Sequence, residues 1–138
     1  MKIYVASSWR NDLQPHVVNI FRTYGHEVYD FRDSEGFSWH EIDSEWEQWG
    51  FDDYVKGLNH DYAKRGFAKD MAALKWCDAC VLVTPCGRSA HLELGWAVGA
   101  GKKTVVIITE RQEPDLMYAM CDGIVESVGE ACNVLSKL

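Results

Sequence analysis

The residue types best suited to chemistry gather in one segment, Pro85-Cys86-Gly87-Arg88-Ser89-Ala90-His91-Leu92-Glu93-Leu94-Gly95. A near-continuous apolar run from Ala79 to Val83 ends at Thr84-Pro85 and gives way to a small, polar turn. A helical pattern then runs from about Ser89 to Ala100 and carries Glu93 in its first turns. Backbone amides at a helix N-terminus favour anions. A strand, a small-residue loop and a helix-borne carboxylate together suit a site that holds a sugar or phosphate beside a nucleophile or base. Cys77-Asp78-Ala79-Cys80 has the spacing of a redox or zinc motif. Cys80 opens an apolar strand, however, and no second Cys or His pair completes a four-ligand set. Buried structural thiols are expected there, and no metal. Asp78, just ahead of the strand, is expected to cap or pair.

These residues need a scaffold, and the pattern along the chain supplies one. Lys2 to Ala6 reads as a first strand, followed by the polar loop Ser7 to Asp12. An amphipathic helix then runs to about Tyr24, with Val17, Val18, Ile20 and Phe21 inward and Gly25 as its stop. Glu27 to Asp30 reads as a second strand. A longer helix is expected over Asp61 to Trp76, with Ala68, Met71, Ala72 and Leu74 to Trp76 on its inner face. After the third strand and the Glu93 helix come a fourth strand at Thr104 to Ile108, a short helix from Pro114 to Met120, a fifth strand at Gly123 to Val125 and a closing helix. Alternating strands and helices predict a three-layer α/β/α sandwich around a five-stranded parallel sheet, Rossmann-like or flavodoxin-like. Ligands of such sheets sit beyond the strands' carboxyl ends, where the loops Ser7 to Asp12, Phe31 to Phe37, Thr84 to Ala90 and Thr109 to Pro114 fall.

The segment Phe31 to Tyr62 departs from this alternation. It holds a loop, Asp33-Ser34-Glu35-Gly36, and then Trp39, Ile42, Trp46 and Trp49 at i, i+3, i+7 and i+10. That stripe predicts a helix, either docking its aromatics on the core or forming a lid whose indoles stack on a flat ligand such as a nucleobase. No G-x-G-x-x-G follows the first strand, and Gly99-Ala100-Gly101 reads as a helix stop.

Size and charge narrow the function. At 138 residues the chain reads as one domain, 1–138, with enough length for a real core. A net charge of -7 with dispersed basic residues speaks against a nucleic-acid polymer as partner. The N-terminus turns polar too soon for a signal sequence, and no apolar run nears the roughly 18 residues of a membrane span. The five cysteines, an odd number set mostly in apolar surroundings, agree. A cytoplasmic protein is expected.

The run Asp70-x₇-Asp78, an apolar strand, Gly87-Arg88-Ser89-Ala90-His91-Leu92-Glu93-Leu94-Gly95 and then Gly101-Lys102 resembles the nucleoside 2-deoxyribosyltransferases and their relatives, the 2-deoxynucleoside 5-phosphate N-hydrolases. Tyr4-Val5-Ala6-Ser7-Ser8-Trp9-Arg10 resembles the first strand and loop of that family. The resemblance covers most of the chain apart from roughly Phe31 to Tyr62. It implies that Glu93 attacks the anomeric carbon of a (deoxy)ribose, and that Asp70 is the second carboxylate, near the sugar and the leaving base. Breaking an N-glycosidic bond develops oxocarbenium character, which a carboxylate can stabilise or capture. The resemblance further implies a small nucleoside or nucleotide substrate, no cofactor and a homodimer or higher homo-oligomer.

Within that frame Tyr4 is a candidate hydrogen-bond partner near the nucleophile. Ser8, Arg10, Arg88 and Ser89, with Gly87, are candidates for an anion pocket, since a guanidinium fork matches phosphate oxygens. Trp9 is a candidate stacking surface for the base. Met117 lies in Glu113 to Tyr118, where the relatives place a segment that reaches a neighbouring subunit's site. His91, two residues from Glu93, points elsewhere on the helix and is expected to be structural. The third loop is less rich in Ser and Gly than in the phosphohydrolases, so a 5-phosphate and a free 5-hydroxyl both stay open, as do transfer to a base and transfer to water. The rival readings are a nicotinamide glycohydrolase resembling TIR domains and a non-catalytic nucleotide-binding sensor.

Overall fold

The structure, a computed structural model, describes residues 1–33 and 36–138. Along the chain run β1 (Lys2–Ala6), α1 (Gln14–Thr23), β2 (Glu27–Tyr29), α2 (Phe51–Leu58), α3 (Asp61–Trp76), β3 (Ala79–Val83), α4 (Arg88–Gly99), β4 (Lys103–Ile107), β5 (Gly123–Val125) and α5 (Val128–Ser136). Three 3-10 turns interrupt them, at Trp39–Glu41, Trp46–Gln48 and Leu116–Met120. The chain gathers into two compact units, Met1–Asp30 with Trp76–Leu138, and Phe31–Lys75.

The first unit is the expected α/β sandwich. Its five strands are all parallel in the order β2-β1-β3-β4-β5, with Tyr4 level with both Tyr29 and Cys80. Because strand side chains alternate between faces, Ile3, Val5, Val81, Val83, Val105 and Ile107 form one layer. They pack with Val17, Val18 and Phe21 of α1 and with Ala131 and Leu135 of α5. The alternate residues, Tyr4, Cys80, Leu82 and Val106, are equally buried on the opposite face, which α4 covers with Ala90, Leu94 and Ala97. β3 is buried at every position, which is why it reads as an unbroken apolar run. Gly25, at φ +87, ends α1 as expected. Cys77 and Cys80 are buried, and burial raises both thiols above their ordinary value, in keeping with structural side chains. Asp78 accepts the backbone N–H of Lys2 at 2.8 Å and so fastens β3 to β1.

The second unit corrects two expectations. The tryptophan stripe is not a helix. Ser38 accepts the amide of His40, and Asp43 accepts the amide of Glu45 at 2.9 Å, so side-chain acceptors close two short turns instead. The stripe still gathers its rings, with Trp39 and Trp49 edge to face at 5.8 Å and Phe37 stacked on Tyr62 at 5.0 Å. The Trp49 indole N–H donates to Asp43 at 2.8 Å and holds that carboxyl below its ordinary value. α2 follows, capped by Asp53 on the Gly50 amide. The inner face of α3 also differs: Ala63, Ala73 and Leu74 are its buried residues, while Ala68, Ala72 and Trp76 are exposed. Of the expected Asp33-Ser34-Glu35-Gly36 loop, Ser34 and Glu35 lie outside the described residues.

In the first unit, the short element after Pro114 is a 3-10 turn that begins at Leu116, because Asp115 accepts the Met117 amide and caps it there. Among the described residues, no helix is long and apolar enough to cross a membrane.

Candidate active site

Glu93 occupies the second turn of α4, on the flank of the helix between the face buried on the sheet and the face turned outward. Opposite it, Tyr4 rises from β1 on the face that α4 covers. Its ring is 2% exposed, and its hydroxyl donates to Glu93 Oε2. A buried phenol needs a hydrogen-bond partner, and here a carboxylate 89 residues away supplies it. Tyr29, level with Tyr4 on β2, stacks on the Tyr4 ring at 5.0 Å and 21°. Burial pushes the Glu93 carboxyl up to about 7. The Tyr4 hydroxyl works in the other direction, since a donated hydrogen bond favours the ionised form.

The loops at the carboxyl edge of the sheet are tied to one another. Ser7 Oγ donates to the Val83 carbonyl at 2.8 Å, and Asn11 Nδ2 reaches the carbonyls of Val83 at 3.3 Å and Pro85 at 3.1 Å. The Asn11 carbonyl oxygen accepts the Leu13 amide, which sets the entry to α1. Thr84 donates through Oγ1 to the Ile107 carbonyl at 2.9 Å and accepts from Gln112 Nε2 at 3.0 Å. The loops after β1, β3 and β4 are therefore joined. Sequence reasoning did not single out Asn11 or Ser7; an Asn two residues before a helix entry is a known turn-forming signal that would have pointed to Asn11.

On the other flank of α4, His91 Nδ1 lies 2.8 Å from the Gly87 carbonyl and Nε2 lies 2.8 Å from the Tyr118 hydroxyl. The carbonyl can only accept, so Nδ1 carries the proton and Nε2 accepts from Tyr118. The two rings are stacked at 5.7 Å. His91 thus holds the start of α4 to the 3-10 turn of residues 116–120. Cys86, 3.8 Å from the same imidazole, is pushed up to about 11 by burial and stays a thiol.

The structure brings Tyr4 and Glu93 into contact, with Ser8, Trp9 and Arg10 in the first of the joined loops and Gly87, Arg88 and Ser89 at the start of α4. Ser8 is half-buried, and its Oγ accepts the Arg10 amide at 3.1 Å. Trp9, Arg10, Gly87, Arg88 and Ser89 are exposed. Met117 is 56% exposed, its amide held by Asp115. Asp70 belongs to the second unit, half-buried on α3. Among the described residues, no group of three or more His, Cys, Asp or Glu side chains is placed to hold a metal ion.

No protein family and no curated protein matches this chain in sequence. Solved structures do match in fold. A 2-deoxyribosyltransferase from Bacillus psychrosaccharolyticus aligns over 96% of this chain and 91% of its own, at 23% identity and a TM-score of 0.65. A CMP N-glycosidase from Clostridium botulinum aligns over 99% of both chains, at 16% identity and a TM-score of 0.54. A conserved protein from Enterococcus faecalis V583 aligns over 100% of this chain and 99% of its own, at 13% identity and a TM-score of 0.67. At these identities the likeness is one of fold.

Proposed function

We propose that this chain is a member of the nucleoside 2-deoxyribosyltransferase family and cleaves the N-glycosidic bond of a (deoxy)nucleoside or its 5′-monophosphate, with Glu93 as nucleophile. The observation that carries this reading is the Glu93 carboxyl, buried enough to titrate near 7 and held by a buried phenol near the carboxyl edge of a parallel sheet. A desolvated carboxylate with one directed hydrogen bond is a poor choice for stability and a good one for attack on electron-poor carbon. Two neighbours in fold, a 2-deoxyribosyltransferase and a CMP N-glycosidase, carry names that describe chemistry at such bonds.

In the proposed step, a Glu93 oxygen bonds to the anomeric carbon as the carbon–nitrogen bond breaks. The electron pair of that bond leaves on the base nitrogen, which takes a proton. Tyr4 occupies Oε2, which leaves Oε1 for the attack. Asp70 is the proposed proton donor and sugar-positioning group. The glycosyl ester then passes its sugar to a second base or to water, and the carboxylate is restored. Ser8, Arg10, Gly87, Arg88 and Ser89 would receive the 5′ end of the sugar and Trp9 the base, while Met117 would complete the site of a neighbouring subunit. On this reading the protein works in the cytoplasm on a small nucleoside or nucleotide, as a homo-oligomer.

The test is incubation with deoxynucleosides and deoxynucleoside 5′-monophosphates, with and without a second free base. A new nucleoside identifies a transferase, and free base alone identifies a hydrolase. Full base release by Glu93→Gln would remove Glu93 from the chemistry, and no release from any substrate would overturn the reading.

A further inference from the structure

A tyrosine delivers its hydroxyl at the end of a long arm. The oxygen lies about 6.5 Å from Cα, so a swing of roughly 10° about the first side-chain torsion carries it about 1 Å, enough to undo a hydrogen bond. The Tyr4 hydroxyl donates to Glu93 Oε2 from a strand that lies between β2 and β3. Those two pairings fix the Tyr4 backbone, with Tyr29 level on one side and Cys80 on the other. They leave the ring free to turn. What stands beside the ring decides whether its hydroxyl stays on the carboxylate.

The two neighbours differ. Cys80 offers a small, wholly buried thiol that burial keeps protonated. Tyr29 offers a second aromatic ring, its centroid 5.0 Å from that of Tyr4 and its plane inclined by 21°. Paired strands lie about 4.8 Å apart, so the rings stack without either strand yielding. Helix α4 packs on β1, β3 and β4, while β2 forms the edge of the sheet. Within the first unit, the half-buried Tyr29 ring is therefore the wall between the Tyr4 ring and the sheet's margin.

No charge on these elements offers another hold on Glu93. On the face under α4, β3 and β4 contribute Cys80, Leu82, Thr104 and Val106, none of them charged. Lys2 and Glu27, one pleat back from Tyr4 and Tyr29, stand opposite each other and are exposed. Arg88 lies at the exposed start of α4, and His91 leaves by the other flank to meet Tyr118. Burial raises the Glu93 carboxyl, and no charged neighbour contributes. We propose that Tyr29 is a positioning residue, whose ring holds the Tyr4 phenol on Glu93 Oε2 and so keeps the carboxylate ionised and aimed. Its use in catalysis rests on the reading of Glu93 as nucleophile. The ring is the working part, so Phe would serve as well, whereas Leu or Met fills much of the space without offering a face.

Carbon NMR of the Glu93 carboxyl, in the whole chain labelled at its glutamates and free of substrate, tests this, with Glu93→Gln assigning the resonance. Tyr29→Leu, and Tyr29→Met as a second loss of the ring, should raise the Glu93 midpoint by about half a pH unit, because a displaced hydroxyl no longer favours the ionised form. Tyr29→Phe should leave the midpoint in place. With Tyr4→Phe already present, Tyr29→Leu should add nothing, since no hydroxyl remains to be misplaced. Midpoints unmoved by both Leu and Met would overturn the proposal. So would a shift that persists beside Tyr4→Phe, which would come from water admitted next to Glu93, or an equal shift in Tyr29→Phe, which would assign the effect to the Tyr29 hydroxyl. Where base release is measured, the acid limb of kcat/KM should move in the same order; a higher KM with the limb in place would make Tyr29 a substrate contact and overturn its positioning role. Absence of base release with the predicted titrations intact would count against the reaction alone, and the hold of Tyr29 on Tyr4 would stand.

Discussion

Replacing Glu93 by Gln should make the protein more stable and less active at once, and the size of the first effect follows from burial. The folded carboxyl titrates near 7 against an ordinary 4.5. Between those values the folded state holds the proton and the unfolded chain has lost it. Stability therefore falls as pH rises through that window, and the loss is complete above about 7. At about 1.4 kcal/mol per unit, the full interval sets a ceiling of about 3.4 kcal/mol. Glu93 is only half-buried, so solvent screens part of the cost and about 2 kcal/mol is expected. Gln keeps the shape and an oxygen for the Tyr4 phenol while carrying no charge. Denaturant melts of both proteins, compared at acid and alkaline pH, isolate this one group because every other titration is shared. The advantage of Gln should be absent below about pH 4 and reach about 2 kcal/mol by about pH 8, a gain of roughly 6 °C in Tm. Base release should fall by about a thousandfold or more. A Gln variant with no advantage at alkaline pH, or with the same advantage at every pH, would refute the idea that a costly buried carboxylate is being kept for chemistry.

Three further substitutions probe the supports of the site. Tyr4→Phe removes the donor that favours ionised Glu93, so the acid limb of kcat/KM should move up by about one pH unit; a limb that stays in place would detach Tyr4 from the charge on Glu93. Asn11→Ala leaves the Pro85 carbonyl without its side-chain donor and should cost about 1–3 kcal/mol in a urea melt, and an unchanged midpoint would mean the loops are held by other bonds. Gly57→Ala puts a methyl against the Trp49 ring, which Asp43 holds in place. It should lower stability by about 1–3 kcal/mol and alter the near-ultraviolet circular dichroism of the indoles; a native spectrum with an unshifted melt would contradict that packing.

β3 was legible because a parallel strand buried on both faces reads as an apolar run, whereas β5, at the edge of the sheet with Ile124 exposed, was legible from its place between the turn after Pro114 and the closing helix. α3 was legible in extent but not in facing. Its buried residues are Ala63, Ala73 and Leu74, two small and one large, too sparse a stripe for periodicity to find. The tryptophan segment misled for a different reason. Four apolar residues at helical spacing fit a helix, yet the Ser38 hydroxyl and the Asp43 carboxylate accept nearby amides ahead of each 3-10 turn, and propensity alone does not show which will win. The turn after Pro114 was displaced by the same kind of side chain, Asp115. Of the site, Glu93 stood out by its helix and loop, and Tyr4 by resemblance. Their contact could not be read from spacing, since it depends on the setting of α4 across β1. Asn11 carried a turn signal, but its tie to the loop after β3 was not legible, because its partners there are backbone carbonyls 72 and 74 residues away.

The setting of α4 has an identifiable cause. Glu93 and His91, two residues apart, leave the helix about 200° from each other. Each meets a buried phenol, Tyr4 at 2% exposure and Tyr118 at 6%. Rolling α4 about its axis in either direction would part both pairs and strand two hydroxyls away from water, at a cost of about 1–3 kcal/mol apiece. The apolar face of Ala90, Leu94 and Ala97 resists the same motion. The one other polar group on a side chain between Ala90 and Gly99 is the indole N–H of Trp96, which can donate but cannot accept from either phenol. The direction in which Glu93 points is thus held from both sides of the helix, and the His91–Tyr118 pair, which does not touch Glu93, is half of what holds it.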